Sequence, residues 1–181
     1  MPPIRVLVAD DSITVRKRLI AVLSADPALE VIAEAADGRI ATEMCRRLRP
    51  DVMTMDVMMP VMDGVSATEY IMANCPTSIL VVSSSSHRGQ VLRTFDALAA
   101  GAIDVLDKPT GIEPRSVWEG ELVSAVKMAS RLETLTKQLG KTVLLSRAFA
   151  DFVGSDFDLE RVGEYPVRGF NDPIELFAYH G

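Results

Sequence analysis

The sequence contains little cysteine and no long apolar stretch. Its two cysteines, Cys45 and Cys75, have no metal-ligand spacing, so we expect reduced thiols near helix ends instead of a disulfide or a metal site. No apolar run approaches the roughly 18 residues that would span a bilayer. The first residues lack the basic start and apolar run of a signal peptide. These absences predict a cytoplasmic protein that has no membrane partner.

The sequence also lacks a basic block, and its net charge is −6 at pH 7. An acidic chain without a cluster of lysine and arginine is not expected to bind nucleic acid directly. The length of 181 residues allows one ordinary domain and a smaller remainder.

Aromatic residues are scarce until the end of the chain. Seven of the ten lie in the last 41 positions, where none of the nine methionines is found. This shift predicts two pieces with different core chemistry, joined near residue 140.

Up to residue 113, short apolar runs alternate with longer amphipathic stretches. The predicted strands lie at 4–10, 30–35, 51–56, 78–86 and 102–107. The first predicted helix has Ser12 as its N-cap, and the second ends before Pro50. The third covers 64–74, and the fourth ends at Gly101. Strands that alternate with helices predict an α/β fold with a doubly wound, five-stranded parallel sheet.

The rest of the chain predicts a long helix followed by a small α+β tail. An apolar pattern through Val117, Leu122, Val126 and Ala129 indicates a helix over 115–139. A strand (142–146), a short helix (147–153) and two further strands (158–167 and 173–179) are predicted after it. We therefore divide the chain at 1–113, 114–140 and 141–181.

Five chemically active side chains end the predicted parallel strands. Asp10 and Asp11 end the first strand, Asp56 the third, Ser83 the fourth and Lys108 the fifth. Ligands bind at the carboxyl ends of strands in such sheets. The sequence therefore predicts one crevice that holds three carboxylates, a hydroxyl and an ammonium group.

Three clustered carboxylates repel one another unless a cation compensates them. Their oxygens suit Mg²⁺, and Lys108 could pair with Asp56 while no anion is present. An ionised aspartate beside Mg²⁺ is a competent nucleophile toward a phosphoryl group. We expect Asp56 to have this role.

Four motifs, in order, carry a family resemblance: "VADDS", "MDVMMPVMDG", "VVSSS" and "DKP". Over residues 4–113 the chain resembles the receiver domain of two-component response regulators, of flavodoxin-like fold, and most of all the receiver of chemotaxis methylesterases. The resemblance implies that a histidine kinase phosphorylates Asp56. It implies that Mg²⁺ is held by Asp10 or Asp11, Asp56 and the backbone carbonyl of Met58.

The same resemblance implies that Ser83 and Lys108 bind the phosphoryl oxygens, and that the peptide bond before Pro109 is cis. Two positions depart from the pattern. Met58 stands where these receivers often carry a polar side chain, with Ser85 at the matching loop position, so we expect slow loss of the phosphoryl group. Val105 replaces a common aromatic residue, so we expect switching to work through Ser83 and the loop after it.

The tail carries a second resemblance over residues 125–181. "AVKMASRLETLTKQLGKTVLLSRAFADFVG" and "VGEYPVRGFNDPIELFAY" resemble the end of class III adenylate/guanylate cyclase domains. Arg131 matches the transition-state arginine of that family, but Lys127 stands where it has asparagine, and its metal-binding aspartates have no counterpart here. A cyclase activity of the monomer is therefore not expected, nor a methylesterase activity.

Several alternatives remain at this point. The tail is either a structural remnant or an adaptor that docks, through 115–181, on a cyclase-like partner or a second copy; we favour self-association. A phosphatase resembling haloacid dehalogenases would need an acid at Met58, and a nucleotide or flavin binder would need a glycine-rich loop after the first strand. A truncated or recombined chain that acts as an interaction module without phosphorylation is the remaining alternative.

Overall fold

The apolar runs of the first hundred residues form a five-stranded parallel sheet. In the computed structural model its strands are β1 (Ile4–Ala9), β2 (Leu29–Ala35), β3 (Val52–Met55), β4 (Ser78–Ser83) and β5 (Asp104–Asp107). Their order is β2-β1-β3-β4-β5, the order of flavodoxin-like sheets. Every residue of β3 and β4 is buried, as expected for strands covered on both faces. The predicted fold is confirmed.

The structure describes residues 2–84, 88–109, 115–139, 144–146, 159–165 and 173–179. None of the helices in these ranges is both long enough and apolar enough to cross a membrane.

Four helices connect the strands: α1 (Ile13–Ser24), α2 (Gly38–Leu48), α3 (Gly64–Asn74) and α4 (Arg88–Ala99). The predicted cap of α1 is confirmed, since the Val15 N–H donates to Ser12 Oγ. The predicted stop after α4 is confirmed too, with Gly101 at a φ of 113°, where a side chain is disfavoured.

The two cysteines are free, as predicted, and both are buried. Cys45 lies in α2 and Cys75 caps the end of α3, with their sulfur atoms 3.6 Å apart. Burial raises the pKa of the Cys45 thiol to about 11. The sequence spacing alone does not show that the two thiols meet.

Helix α5 (Arg115–Leu139) is confirmed as one long helix. Trp118, Leu122, Val126 and Ala129 lie on one face and pack in the core with residues of α1, β1 and β4. Val117, which the predicted pattern included, is 51% exposed. That part of the prediction was wrong because Val117 precedes Leu122 by five positions, whereas Trp118 keeps the helical spacing of four.

The tail adds a three-stranded antiparallel sheet. Its strands are β6 (Leu144–Ser146), β7 (Leu159–Tyr165) and β8 (Ile174–Tyr179), in the order β6-β8-β7. Leu176 and Ala178 of the central strand are buried. The three predicted strands are thus present, and the predicted helix at 147–153 lies outside the described residues.

The chain divides into two compact units, Met1–Ser130 and Arg131–Gly181. The division falls inside α5, so this helix contributes residues to both units. The three-part division at 113 and 140 stays a prediction.

Candidate functional site

Three carboxylates meet beyond the ends of β1 and β3. Asp10 and Asp11 follow β1, and Asp56 follows β3. Asp10 and Asp56 are buried and Asp11 is exposed. One oxygen from each lies within 4.8 Å of the other two. The predicted convergence is present because β1 and β3 are neighbours in the parallel sheet.

Lys108 follows β5 and reaches across to this cluster. Its Nζ lies 2.7 Å from Asp56 Oδ2 and 2.8 Å from Asp10 Oδ2. Three ionised carboxylates and one ammonium group leave a net charge of −2 at the cluster. A divalent cation would neutralise that remainder.

Burial and ion pairing act in opposite directions on the pKa values of Asp56 and Lys108. Burial raises the pKa of Asp56, and the hydrogen bond from Lys108, which acts in the opposite direction, does not cancel that rise. For Lys108, burial alone would lower its pKa, but the contacts with Asp10 and Asp56 outweigh it and leave the pKa raised. Lys108 is therefore an ammonium group at neutral pH.

The donor set fits a small, hard cation. All three side chains offer carboxylate oxygens, which Mg²⁺ prefers. The backbone also fixes them: the Ser12 N–H donates to Asp10 Oδ1 at 2.9 Å, and the Met58 N–H donates to Asp56 Oδ1 at 3.4 Å. The three carboxylates could therefore hold a metal ion without a rearrangement of their side chains.

Ser83 ends β4 beside the cluster, with a side chain that is almost fully buried. Among the described residues its Oγ has no hydrogen-bond partner. Its backbone carbonyl accepts from the Lys108 N–H at 2.8 Å. The structure thus links Ser83 to Lys108 through the backbone and leaves the hydroxyl available.

The other predicted site residues are more dispersed. Met58 follows Asp56 with 45% of its surface exposed. Val105 is half-buried in β5, opposite Val81. The described backbone contains no cis peptide bond, so the cis bond expected before Pro109 was wrong for this structure. Ser85 lies outside the described residues.

The cyclase-like positions lie along α5. Arg131 is half-buried and belongs to the second unit. Lys127 belongs to the first unit, where its Nζ lies 2.6 Å from Asp26 Oδ2. In the structure Lys127 thus holds α5 against the loop that follows α1.

Two residues that support the site escaped the sequence reasoning. The Arg16 guanidinium donates to the Asp10 carbonyl at 2.7 Å and pairs with Glu34. A Cβ built on Gly64 would lie 2.1 Å from the Asp56 carbonyl oxygen. The glycine after "VMD" is a sequence signal for such a close approach. Arg16 has no such signal, because its partner Glu34 lies 18 residues away in the sequence.

The sequence model of the response regulator receiver domain matches residues 6–114. The chain belongs to this family. One curated relative, the protein-glutamate methylesterase/protein-glutamine glutaminase 2 of Carboxydothermus hydrogenoformans, is 42% identical over 153 residues, which cover 84% of this chain and 42% of the relative. A similar enzyme of Shewanella frigidimarina is 52% identical, over 58% of this chain and 26% of its own length.

Solved structures agree with this receiver assignment. The response regulator domain of Thermotoga maritima CheB is 37% identical, covers 71% of this chain and 96% of its own, and has a TM-score of 0.63. The CheX-CheY-BeF3-Mg+2 complex from Borrelia burgdorferi contains a chain that is 27% identical, with a TM-score of 0.57, covering 68% of this chain and 90% of its own.

This receiver chain spans about two fifths of the first relative's length. An alignment of 153 residues cannot fit inside the 6–114 segment, so the similarity to that methylesterase extends into residues that follow the receiver. The resemblance of the tail to cyclases stays a prediction.

Proposed function

We propose that the receiver is phosphorylated on Asp56 by a histidine kinase, in a reaction that depends on Mg²⁺. The observation that carries this proposal is the bridge from Lys108 to Asp10 and Asp56 at 2.8 and 2.7 Å. A buried nucleophile, a second acid and a fixed ammonium group are the parts that phosphoryl transfer to a carboxylate requires.

In the proposed step an oxygen of Asp56 attacks the phosphorus of a phosphohistidine. A new O–P bond forms, the N–P bond breaks, and the imidazole nitrogen leaves with its electron pair. Asp10, Asp11, Asp56 and the Met58 carbonyl would hold Mg²⁺, which neutralises charge on the phosphoryl oxygens when it is bound. Acetyl phosphate is a small donor for the same transfer.

Phosphorylation then redistributes the contacts of two residues. Lys108 exchanges its contact with Asp56 Oδ2 for the phosphoryl oxygens, and Ser83 Oγ donates to them from the other side. Support comes from the buried Ser83 hydroxyl, which lacks a partner among the described residues. The phosphoryl group adds up to about two negative charges, which shifts the balance between two states of the domain.

The relatives suggest the pathway. Several similar proteins carry the name protein-glutamate methylesterase/protein-glutamine glutaminase, and a similar receiver belongs to CheB. We propose that this receiver acts in a chemotaxis-type pathway and that its output is a changed interaction surface, with the segment described here contributing no hydrolase activity of its own.

The proposal is tested by the intact mass of the protein after incubation with Mg²⁺ and acetyl phosphate. We expect a gain of one phosphoryl group, which Asp56→Ala abolishes and chelation of the metal prevents. Asp96→Asn, a change of an exposed carboxylate on α4, should leave the gain intact. An unmodified wild-type mass would overturn the proposal and favour an interaction module that works without phosphorylation.

For the tail we propose association, with a second copy or a cyclase-like partner, through residues 115–181. The second unit is small for an independent core, which favours a role completed by another chain. Size-exclusion elution over a range of protein concentrations tests self-association. A monomer at every concentration, phosphorylated or not, would leave only the heterologous partner.

A further inference from the structure

The feature that neither the receiver motifs nor the proposed transfer uses is Trp118. It is 4% exposed at the start of α5 and is the only tryptophan of the chain. Its neighbours on the inward face of the helix, Leu122, Val126 and Ala129, have no side-chain polar group. Trp118 is thus the one residue of this set that can form a directional bond.

The Trp118 indole N–H donates to the Asp107 backbone carbonyl at 2.7 Å. That carbonyl and the Lys108 N–H belong to the same peptide group. The Lys108 N–H in turn donates to the Ser83 carbonyl at 2.8 Å. One amide group is therefore bonded to α5 on one side and to the end of β4 on the other.

This amide adjoins both groups that are proposed to contact the phosphoryl oxygens. The Lys108 side chain extends from it to Asp56 and Asp10. Ser83, whose carbonyl accepts from it, carries the buried hydroxyl. A backbone shift at either residue would displace this amide, and the indole would then follow or lose its bond. Hydrogen bonds joined through one amide also strengthen each other.

The indole is held from a second direction as well. The Arg18 guanidinium of α1 lies 5.0 Å from the ring centroid, within the range of a cation–π contact. Arg18 also approaches Glu119 at 3.7 Å. These contacts restrain the indole between α1 and β5, so a displacement at Asp107 would be passed to the helix.

We propose that Trp118 is the positioning residue that couples the phosphorylation site to helix α5. Here the coupling does not need an aromatic residue at Val105, because the indole contacts the same strand from the neighbouring helix. The inference rests on the proposed phosphorylation of Asp56. Helix α5 also contains residues 131–139, which belong to the second unit.

The test uses the full chain labelled with ¹⁵N, in which a single tryptophan gives a single indole N–H resonance. Intact mass and this resonance are followed together after Mg²⁺ and acetyl phosphate are added. We expect the resonance to shift as the phosphoryl group is gained and to stay in place in Asp56→Ala. A mass gain with an unmoved indole would overturn the coupling alone. A missing mass gain would overturn the proposed function and this inference with it.

Trp118→Phe removes the N–H and keeps an aromatic ring in the core. We expect the variant to remain folded and phosphorylated, with a rate of phosphoryl loss that changes by about fivefold, the lower end of typical couplings between sites. Val117→Ala, at an exposed position of the same helical turn, is the matched control and should keep the wild-type rate. Equal rates in wild type and Trp118→Phe would reduce Trp118 to a packing residue. If Trp118→Phe fails to fold, the indole resonance of the wild type still shows whether Trp118 responds to phosphorylation.

Discussion

In the first unit the strands run parallel, and in the second they are antiparallel. Parallel strands bring their carboxyl ends to one edge of the sheet, so Asp10, Asp56 and Lys108 meet there although they are far apart in sequence. In an antiparallel sheet neighbouring strands end at opposite edges. In the described strands of the second unit, a charged contact is instead the ion pair between Arg161 of β7 and Glu175 of β8. The parallel sheet thus places the acidic cluster in the first unit, where we propose phosphoryl transfer, whereas the role we propose for the second unit is association.

The largest expected effect is a loss of stability confined to the second unit. Leu176 is fully buried in the central strand β8, so Leu176→Ala should cost about 4 kcal/mol by leaving a cavity. Hydrogen exchange should show lost protection in β8, while the phosphoryl gain at Asp56 is unchanged. Leu176→Met, which preserves volume, is the control. A loss of phosphorylation in Leu176→Ala would show that the two units are not separable.

The next largest effect is a loss of stability in the first unit. Gly64→Ala would place a methyl group 2.1 Å from the Asp56 carbonyl oxygen, and we expect a loss of about 3 kcal/mol in the free energy of unfolding. Gly120 has nothing within 4 Å of the corresponding position, so Gly120→Ala in α5 should gain about 0.5–1 kcal/mol. Urea unfolding measures both. Equal stability of the two variants would contradict the close approach at Gly64.

A smaller effect concerns the lifetime of the phosphoryl group. Met58 cannot orient a water molecule, whereas Met58→Asn supplies a donor and an acceptor at the same exposed position. We expect the loss of the phosphoryl group to become about tenfold faster, the worth of one good hydrogen bond. The decay of phosphorylated protein, followed by intact mass, measures this. An unaltered lifetime in Met58→Asn would contradict the role expected of Met58.

The smallest effect concerns the attachment of α5 to the first unit. The hydrogen bond from Lys127 holds the pKa of Asp26 below its ordinary value. A lowered pKa contributes stability that is present above the ordinary aspartate pKa, about 4, and is lost as pH falls through the lowered value. Lys127→Met should flatten this acid limb and cost no more than about 1 kcal/mol, as for other surface pairs. Denaturant midpoints between neutral and acid pH measure this, and an unchanged acid limb would exclude the pair as its source.

The sequence predicted the secondary-structure elements and the site residues by different signals. Element positions followed from apolar periodicity, and the site followed from residues at strand ends. The roles of Trp118 and Arg16 did not, because hydrogen bonds to backbone carbonyls leave no mark on side-chain spacing. Val117 was assigned to the core by apolarity alone, although the helical phase turns it outward.

Met58 lies in the loop between β3 and α3, and Gly64 begins α3, so the two positions are close in the chain but have opposite constraints. Met58 is 45% exposed, so substitution there costs little packing, while Gly64 leaves no space for a single extra carbon. Under the proposed function, a substitution at position 58 would change how long the signal persists without altering the close approach of Gly64 to Asp56. If that function holds, signal duration and structural stability can evolve as separate traits.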